Sequence, residues 1–243
     1  MYLARKRSDK IVVHGKKIKE TMMQEYNISN DKIHVIQIGE HDVAPYKKWE
    51  RKDVRENGNL ILFFGRIHKY KGLQYLIKAE SKITKEVENA KIIIAGKGED
   101  FKKYEKMMEN KDRFSIKNHY ISYKEGAELF QKCSVVVLPY IEASQSGIIP
   151  LSYGFKKPVV VTDVGSLSEI VDEGVTGFVV PPRDPKALAD VIIKLLKDEK
   201  LRKKMGENAY KKLKSNLSWN KIAEKTIEVY KEAIKEHKNK KRK

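Results

Sequence analysis

The sequence predicts an α/β fold in which a parallel sheet carries helices on both faces. Short apolar runs alternate with longer segments of helical periodicity, the order that such sheets require. The run 60–64 is apolar throughout and 134–138 is apolar after Ser134, which is typical of strands buried on both sides. Strands are predicted over 10–14, 33–38, 60–64, 91–95, 119–121, 134–138, 158–162 and 177–180.

Helices are predicted in most of the segments between these strands. The clearest covers 185–197, where apolar residues recur every three or four positions after Asp184 as N-cap and Pro185 in the first turn. A final long helix is predicted after Ser218, with its apolar residues on one side.

The first 38 residues offer only strand, helix and strand. A unit this small cannot cover both faces of a parallel sheet, so its strands either join the main sheet or end a preceding domain. The polar segment 39–58, which contains Pro45, is predicted to connect two units.

Composition narrows the class of protein. The chain has 243 residues, 40% of them hydrophobic, and a single cysteine, Cys133, which excludes an intrachain disulfide and is expected to be a buried structural thiol. We find no signal-peptide pattern and no run of bilayer-spanning length, so a cytoplasmic location is the default expectation.

The formal net charge of +18 has three candidate explanations: a general lysine bias, attraction to an anionic membrane surface, or nucleic-acid binding. The charge is spread along the chain, with a denser tail at 235–243, which favours bias and leaves peripheral membrane contact open. Nucleic acid is the least favoured partner, because no basic platform with interleaved aromatic residues is present.

The loop after the strand at 60–64 has the chemistry of an anion site. Gly65 admits close approach of a ligand to the backbone, while Arg66 and Lys71 supply positive charge ahead of Gly72 and a helical segment. Arginine binds phosphate bidentately and lysine acts as a point charge. A diphosphate ligand is therefore predicted, although basic residues after strands are common in a lysine-rich chain.

Two further loops follow predicted strands. Residues 138–150 are rich in small and hydroxylated residues and open a helix running to Gly154, for which Ser144 or Ser146 as an ordinary N-cap is the structural alternative. The loop with Gly96 and Gly98 is weak evidence alone. In a doubly wound sheet the loops after strands 60–64, 91–95 and 134–138 would converge on one crevice.

Together these motifs resemble the donor-binding half of retaining GT-B glycosyltransferases of group 1, or family 4, over residues from about 60 to 197. The order of the motifs is more specific than any one of them. They are Gly65-Arg66, Lys71-Gly72, 95–98, 120–122, the loop 138–150, 158–162, Gly165, 169–171, Gly174, Gly177 and 180–185.

The resemblance implies a role for each matched residue. Arg66 and Lys71 would bind the diphosphate and stabilise it as it leaves, and Gly65 would admit the donor. The main chain at Tyr120 and Ile121 would face the base. The remaining donor-binding residues lie on the two other loops: Gly96, Gly98, Ser144, Gln145, Ser146, Gly147 and Ile148.

The sequence departs from the family pattern at two glutamates spaced eight positions apart. One lies near the donor sugar in the family and the other holds the ribose hydroxyls, and alignment through Pro158 places Ala143 and Leu151 there. Glu142, one residue earlier, is the candidate to replace the first glutamate and is retained as a catalytic candidate with Arg66 and Lys71.

The resemblance also implies a domain organisation. Residues 1–38 would be a strand-helix-strand remnant of the acceptor-side domain, 39–58 the interdomain link, 59–217 the Rossmann-like donor-binding domain, and 218–243 a crossover helix with a basic tail. Because most of an acceptor domain is missing from this sequence, an acceptor-domain chain or a second copy is an expected partner, and activity of the isolated chain is in doubt.

The implied function is transfer of a sugar, with retention, from a UDP-, GDP- or ADP-sugar substrate, without a metal or other cofactor. Two alternatives stay open: a non-catalytic subunit that binds a nucleotide sugar, and a basic protein that binds membranes or nucleic acid. The sequence alone does not choose the base, the sugar or the acceptor.

Overall fold

The computed structural model describes residues 8–40, 43–98 and 100–240. Residues 1–7 and 241–243 of the predicted outer segments, His41 and Asp42 of the predicted link, and Glu99 beside the second glycine loop lie outside the described residues. The helix and strand bounds below all refer to the described part.

The main unit is built on a six-stranded, all-parallel sheet. Its strands are β3 Leu60–Phe64, β4 Lys91–Ala95, β5 Phe114–Lys117, β6 Val135–Leu138, β7 Val159–Thr162 and β8 Gly177–Val180. They lie in the order β5-β4-β3-β6-β7-β8.

Helices cover both faces of this sheet, as predicted. Alternation along the central strand explains why: Leu62 and Phe64 belong to one buried cluster, and Ile61 and Phe63 to the other. The helices are α3 Leu73–Glu86, α4 Lys102–Glu105, α5 Tyr123–Lys132, α6 Ile148–Gly154, α7 Leu167–Ile170, α8 Pro185–Lys197 and α9 Glu199–Asn216. Helices α3, α4 and α8 cover one face, and α5, α6, α7 and α9 the other.

Local signals set several boundaries. The Asp184 side chain accepts a hydrogen bond from the Ala187 amide at 2.9 Å, with Pro185 at the first position of α8, as predicted.

Cys133 is fully buried between α5 and β6, and burial raises the pKa of its thiol to about 12. Both predictions are confirmed.

The strand predicted at 119–121 is wrong. The strand is β5, Phe114–Lys117, and 119–121 form the loop that leads into α5. Because β5 is an edge strand, it alternates apolar and polar residues and lacks the continuous apolar run of the central strands. Ile121 is buried by packing at the entry of α5, while Tyr120 is 78% exposed.

Residues near the start of the chain form a separate unit. Strands β1 Ile11–Val13 and β2 Ile33–Val35 make a two-stranded parallel sheet, with α1 Lys16–Tyr26 between them. The unit has a small core of its own, and its strands do not join the main sheet. This excludes the arrangement, left open by the sequence, in which these strands join the main sheet.

Hydrogen bonds hold this unit against the main one. The Glu169 carboxylate of α7 accepts from the Lys16 and Lys17 amides at the start of α1, at 2.7 and 2.9 Å. A carboxylate suits this place, because the first amides of a helix have no partner within the helix. Helix α10, Trp219–Lys240, also reaches the unit, where Lys10 Nζ lies 2.6 Å from Glu236.

The segment between the two units is packed against the main one. Short helix α2, Val43–Lys47, buries Val43, and Glu56 further along pairs with Lys157 at 2.7 Å and Arg202 at 3.2 Å. Arg202 is 4% exposed and also donates to the carbonyls of Leu195 and Leu196. The polar composition of the segment therefore reflects specific pairing.

We predict that Glu56→Gln lowers the free energy of unfolding by about 2 kcal/mol, because two nearly buried cations lose their shared carboxylate while Glu56 itself is partly exposed. Urea denaturation measures this difference. Glu50→Gln, which removes an exposed pair with Lys47 in the same segment, is the control and should cost less than about 0.5 kcal/mol. Equal effects of the two substitutions would contradict the prediction.

Candidate functional site

The candidate site lies at the carboxyl end of the sheet, where the strand order reverses. Connections run outward in one direction from β3 and in the other from β6, which leaves a crevice between their loops. The Gly65 amide donates to the Ala95 carbonyl at 2.9 Å, and the Ile141 amide to the Tyr70 carbonyl at 2.8 Å. The loops after β3, β4 and β6 therefore meet, as the sequence predicted.

Glycines allow this meeting. Gly65 and Gly96 have φ values of +106° and +143°, a region that side chains disfavour. A Cβ on Gly96 would lie 2.2 Å from the Gly65 carbonyl oxygen, and one on Gly98 would lie 1.9 Å from the Ile67 oxygen. The loops after β3 and β4 are thus in direct backbone contact.

Lys71 is the most unusual residue of the crevice. It ends a short 3-10 turn and is only 8% exposed, with its ammonium 5.2 Å from the centre of the Tyr140 ring. Burial lowers the pKa of Lys71, and the nearby positive charge of Arg66 lowers it further, although Tyr70 opposes this. In the described part of the chain, no carboxylate forms an ion pair with Lys71.

Gly65 lies directly against this ammonium. A Cβ added at Gly65 would be 2.9 Å from Lys71 Nζ. The glycine, predicted to admit a ligand, thus also leaves room for the lysine head group. Among the described residues, the Lys71 ammonium thus faces the Tyr140 ring and has no carboxylate partner.

The cavity beside Lys71 has a volume of about 430 Å³. The Ser146 hydroxyl accepts from the Ile148 amide at 3.3 Å and lies 3.4 Å from the Tyr140 hydroxyl, whose pKa burial raises to about 12. Gly147 is the N-cap of α6, so Ser144 and Ser146 are not its caps. The lining residues are Tyr70, Lys71, Tyr140, Ala143, Ser144, Gln145, Ser146, Gly147 and Ile148.

A second cavity of about 660 Å³ adjoins the same loop. Arg66 is exposed at its edge, and Gly65 lines it while touching Lys71 on the other side. The structure thus places the two predicted cations at neighbouring cavities. The second cavity is lined by Tyr46, Phe64, Gly65, Arg66, Ile67, His68, Gly96, Lys97, Gly98, Tyr120, Ile121 and Tyr123.

Glu142 occupies a different place from the other candidates. It is exposed and lines a third cavity of about 610 Å³ together with Lys17 and Thr21 of α1, His68 and Ser144. It does not line the cavity beside Lys71. The structure therefore brings Glu142 to the cleft between the two units, and its predicted catalytic role stays a prediction.

The two positions aligned with the family glutamates carry no polar side chain. Ala143 lines the cavity beside Lys71, whereas Leu151 is 1% exposed and packs in the main core. A ribose contact from the Leu151 side chain is therefore not available. Any replacement for the second glutamate has to come from another part of the chain.

Sequence reasoning named Tyr120 but missed four other tyrosines of the site. Tyr46 and Tyr123 line the second cavity, while Tyr70 and Tyr140 line the cavity of Lys71. One signal for Tyr46 was present: Gly126 lies inside helix α5, and a Cβ there would be 2.4 Å from the Tyr46 ring. A glycine within a helix often marks such a close contact.

We searched the described residues for two other kinds of site. Within 8–40, 43–98 and 100–240, no group of three or more His, Cys, Asp or Glu residues is arranged to hold a metal ion. None of the helices in these ranges combines the length and apolar composition needed to cross a bilayer.

The fold is that of the GT-B glycosyltransferases. A sucrose-phosphate synthase from Thermosynechococcus elongatus superposes with a TM-score of 0.81 at 19% identity, over 96% of this chain and 60% of its own. An Anabaena protein, HepE, crystallised in complex with UDP, gives the same TM-score at 18% identity, over 95% and 65%.

Comparison of the sequence with known families and proteins is more specific than comparison of the fold. Residues 45–212 match the family described as "Glycosyl transferases group 1", and the chain belongs to that family. An uncharacterized glycosyltransferase of Methanocaldococcus jannaschii is 32% identical over 96% of this chain and 62% of its own length. The chain thus spans a little over three fifths of that relative.

We predict that Lys71→Met stabilises the ligand-free protein by about 1 kcal/mol at neutral pH, because a buried, unpaired ammonium is replaced by an apolar chain of similar length. The gain should be greatest below the lowered pKa of folded Lys71, where the lysine is charged in both states. The stabilisation should decrease as pH rises from the lowered pKa toward 10.5, because Lys71 of the folded protein is then already neutral.

Urea denaturation across this pH range measures the effect. The control is Lys78→Met, which removes an exposed lysine of α3 and should change stability by less than about 0.5 kcal/mol. Destabilisation by Lys71→Met would mean that the ammonium has a compensating partner, and it would contradict this description of the site.

Proposed function

We propose that this chain is the donor-binding part of a retaining glycosyltransferase that takes its sugar from a nucleotide sugar. The observation that carries the proposal is the buried Lys71 ammonium at the switch point of the sheet, unpaired with any carboxylate of the described residues. A buried cation is costly unless an anion compensates it. A diphosphate bound between the loops of Gly65 and Ser146 is the compensating group.

The surrounding residues fit the parts of such a donor. Lys71 and Arg66 would bind the diphosphate and stabilise the negative charge that grows on it as the bond to the sugar breaks. Ser146 and Gly147 line the same cavity as Lys71 and would approach the distal phosphate and the sugar. The second cavity, with Tyr120 and Ile121, would take the nucleoside.

Transfer also needs an acceptor site. The third cavity lies between α1 and the loop of Glu142, so an acceptor entering there would reach the sugar from the side of the small unit. We propose that an acceptor-binding domain, in addition to the donor-binding part, completes the enzyme. The base, the sugar and the acceptor are left to experiment.

We predict that Lys71→Met weakens binding of the preferred nucleoside diphosphate roughly tenfold to a hundredfold, because a charge-assisted hydrogen bond contributes about 1.5–3 kcal/mol. Arg66→Met should have a smaller effect, because Arg66 is exposed. Isothermal titration of the protein with UDP, GDP and ADP, and then with the corresponding sugars, provides the measurement.

Lys78→Met is the matched control, with the same change in charge away from the cavities, and should bind like the parent protein. If no nucleoside diphosphate or nucleotide sugar binds the parent, the proposal is wrong. Retention is tested separately, by NMR of the anomer formed when the chain acts together with an acceptor-binding domain.

A non-catalytic nucleotide-sugar-binding subunit is the second candidate function. It is favoured by the apolar residues Ala143 and Leu151 at the positions of the family glutamates, and by the absence of Glu142 from the lining of the Lys71 cavity. Tight donor binding without turnover in the presence of an acceptor domain would support it. Loss of turnover in Glu142→Gln, with unchanged donor binding, would support the enzyme instead.

A further inference from the structure

The link helix α2 is fitted into the main unit at two glycines. Val43 lies over Gly154 of α6, where an added Cβ would be 2.5 Å from its Cγ1. Tyr46 lies over Gly126 of α5, where an added Cβ would be 2.4 Å from its Cε1. Neither glycine has a positive φ, so both serve close packing of α2 and not an unusual backbone conformation.

The Tyr46 ring takes a defined place in an aromatic cluster. It meets Tyr123 edge-on, with ring centres 5.0 Å apart and planes at 89°, and lies 6.0 Å from Phe64 at 77°. These are the favourable geometries of aromatic pairs. These two neighbours belong to β3 and α5, so the ring is held against both elements.

Tyr46 also lines the cavity that contains Gly65, Gly96 and Gly98. One part of this cavity is bare backbone with Arg66 at its edge, and another is the aromatic group of Tyr46, Phe64 and Tyr123. Backbone amides and a guanidinium suit phosphate and sugar, whereas aromatic rings suit the flat face of a heterocyclic base.

We infer that Tyr46 contacts the base of the bound nucleotide and contributes to its binding. This inference rests on the proposed function, since it assigns a residue to the nucleoside part of the same donor. It makes the link segment a contributor to the donor site, so that the nucleotide is held by residues from both the link and the sheet loops.

The test distinguishes a contact with the base from a contact with the phosphates. Binding of UDP, GDP, ADP and inorganic pyrophosphate is measured by isothermal titration for the parent, Tyr46→Ala and Tyr46→Phe. Tyr46→Ala should weaken the best nucleoside diphosphate about tenfold or more, as removal of a base-stacking ring does, and leave pyrophosphate unchanged. Tyr46→Phe keeps the ring and should restore most of the affinity.

Two further variants guard against a merely structural effect. Tyr46→Leu fills part of the space beside Phe64 and Phe130 without a ring and should show the same selective loss. Trp49→Leu removes an exposed aromatic residue of the same segment that does not line the cavity, and should bind all ligands like the parent. Melting temperatures identify any variant that fails to fold.

The outcomes are distinct. Equal losses for the nucleoside diphosphate and pyrophosphate, or no loss for either, would overturn the role of Tyr46 while leaving the proposed function intact. If the parent binds pyrophosphate and binds none of the nucleoside diphosphates more tightly than pyrophosphate, the base subsite itself is refuted. If the parent binds none of the ligands, the proposed function fails and this inference fails with it.

Discussion

An uncompensated positive charge inside the crevice is the constraint on which the site depends. Lys71 is buried beside Tyr140 without a carboxylate partner in the described part of the chain, and burial shifts its pKa downward. A fold does not retain such a group for stability, because removing it from water costs free energy. Under the proposed function the compensating group is an incoming anion, and the Tyr140 ring faces the ammonium until that anion binds.

Glycines and contacts between loops shape the crevice around that buried ammonium. Gly65 leaves space for it, and Gly72 allows the loop of Lys71 to approach the Pro139 carbonyl, where a Cβ would be 1.9 Å from the oxygen. The Ile141 amide then binds the Tyr70 carbonyl. These contacts join the loops after β3 and β6 and fix the main chain that carries Lys71.

The sequence predicted those parts of the molecule that local patterns encode. Continuous apolar runs marked the central strands, Asp184 and Pro185 marked the start of α8, and glycines after strands marked the crevice. It placed β5 wrongly, because an edge strand lacks that run. It also missed Tyr46, because the position of that ring depends on the packing of α2 against α5. Gly126, a glycine inside a helix, indicated a close contact at that position. The residue that makes the contact, Tyr46, is distant in the sequence, so the sequence pattern did not identify it.

The small unit lines one side of the third cavity. Because Glu169 binds the first amides of α1, that helix begins directly beside α7 at the carboxyl end of the main sheet. Lys17 and Thr21 consequently share a cavity with Glu142 and Ser144. The Glu142 carboxylate is therefore exposed to the cleft between the two units and does not line the cavity of Lys71. Under the proposed function, this placement assigns Glu142 to the acceptor side of the donor and leaves the diphosphate to Lys71 and Arg66.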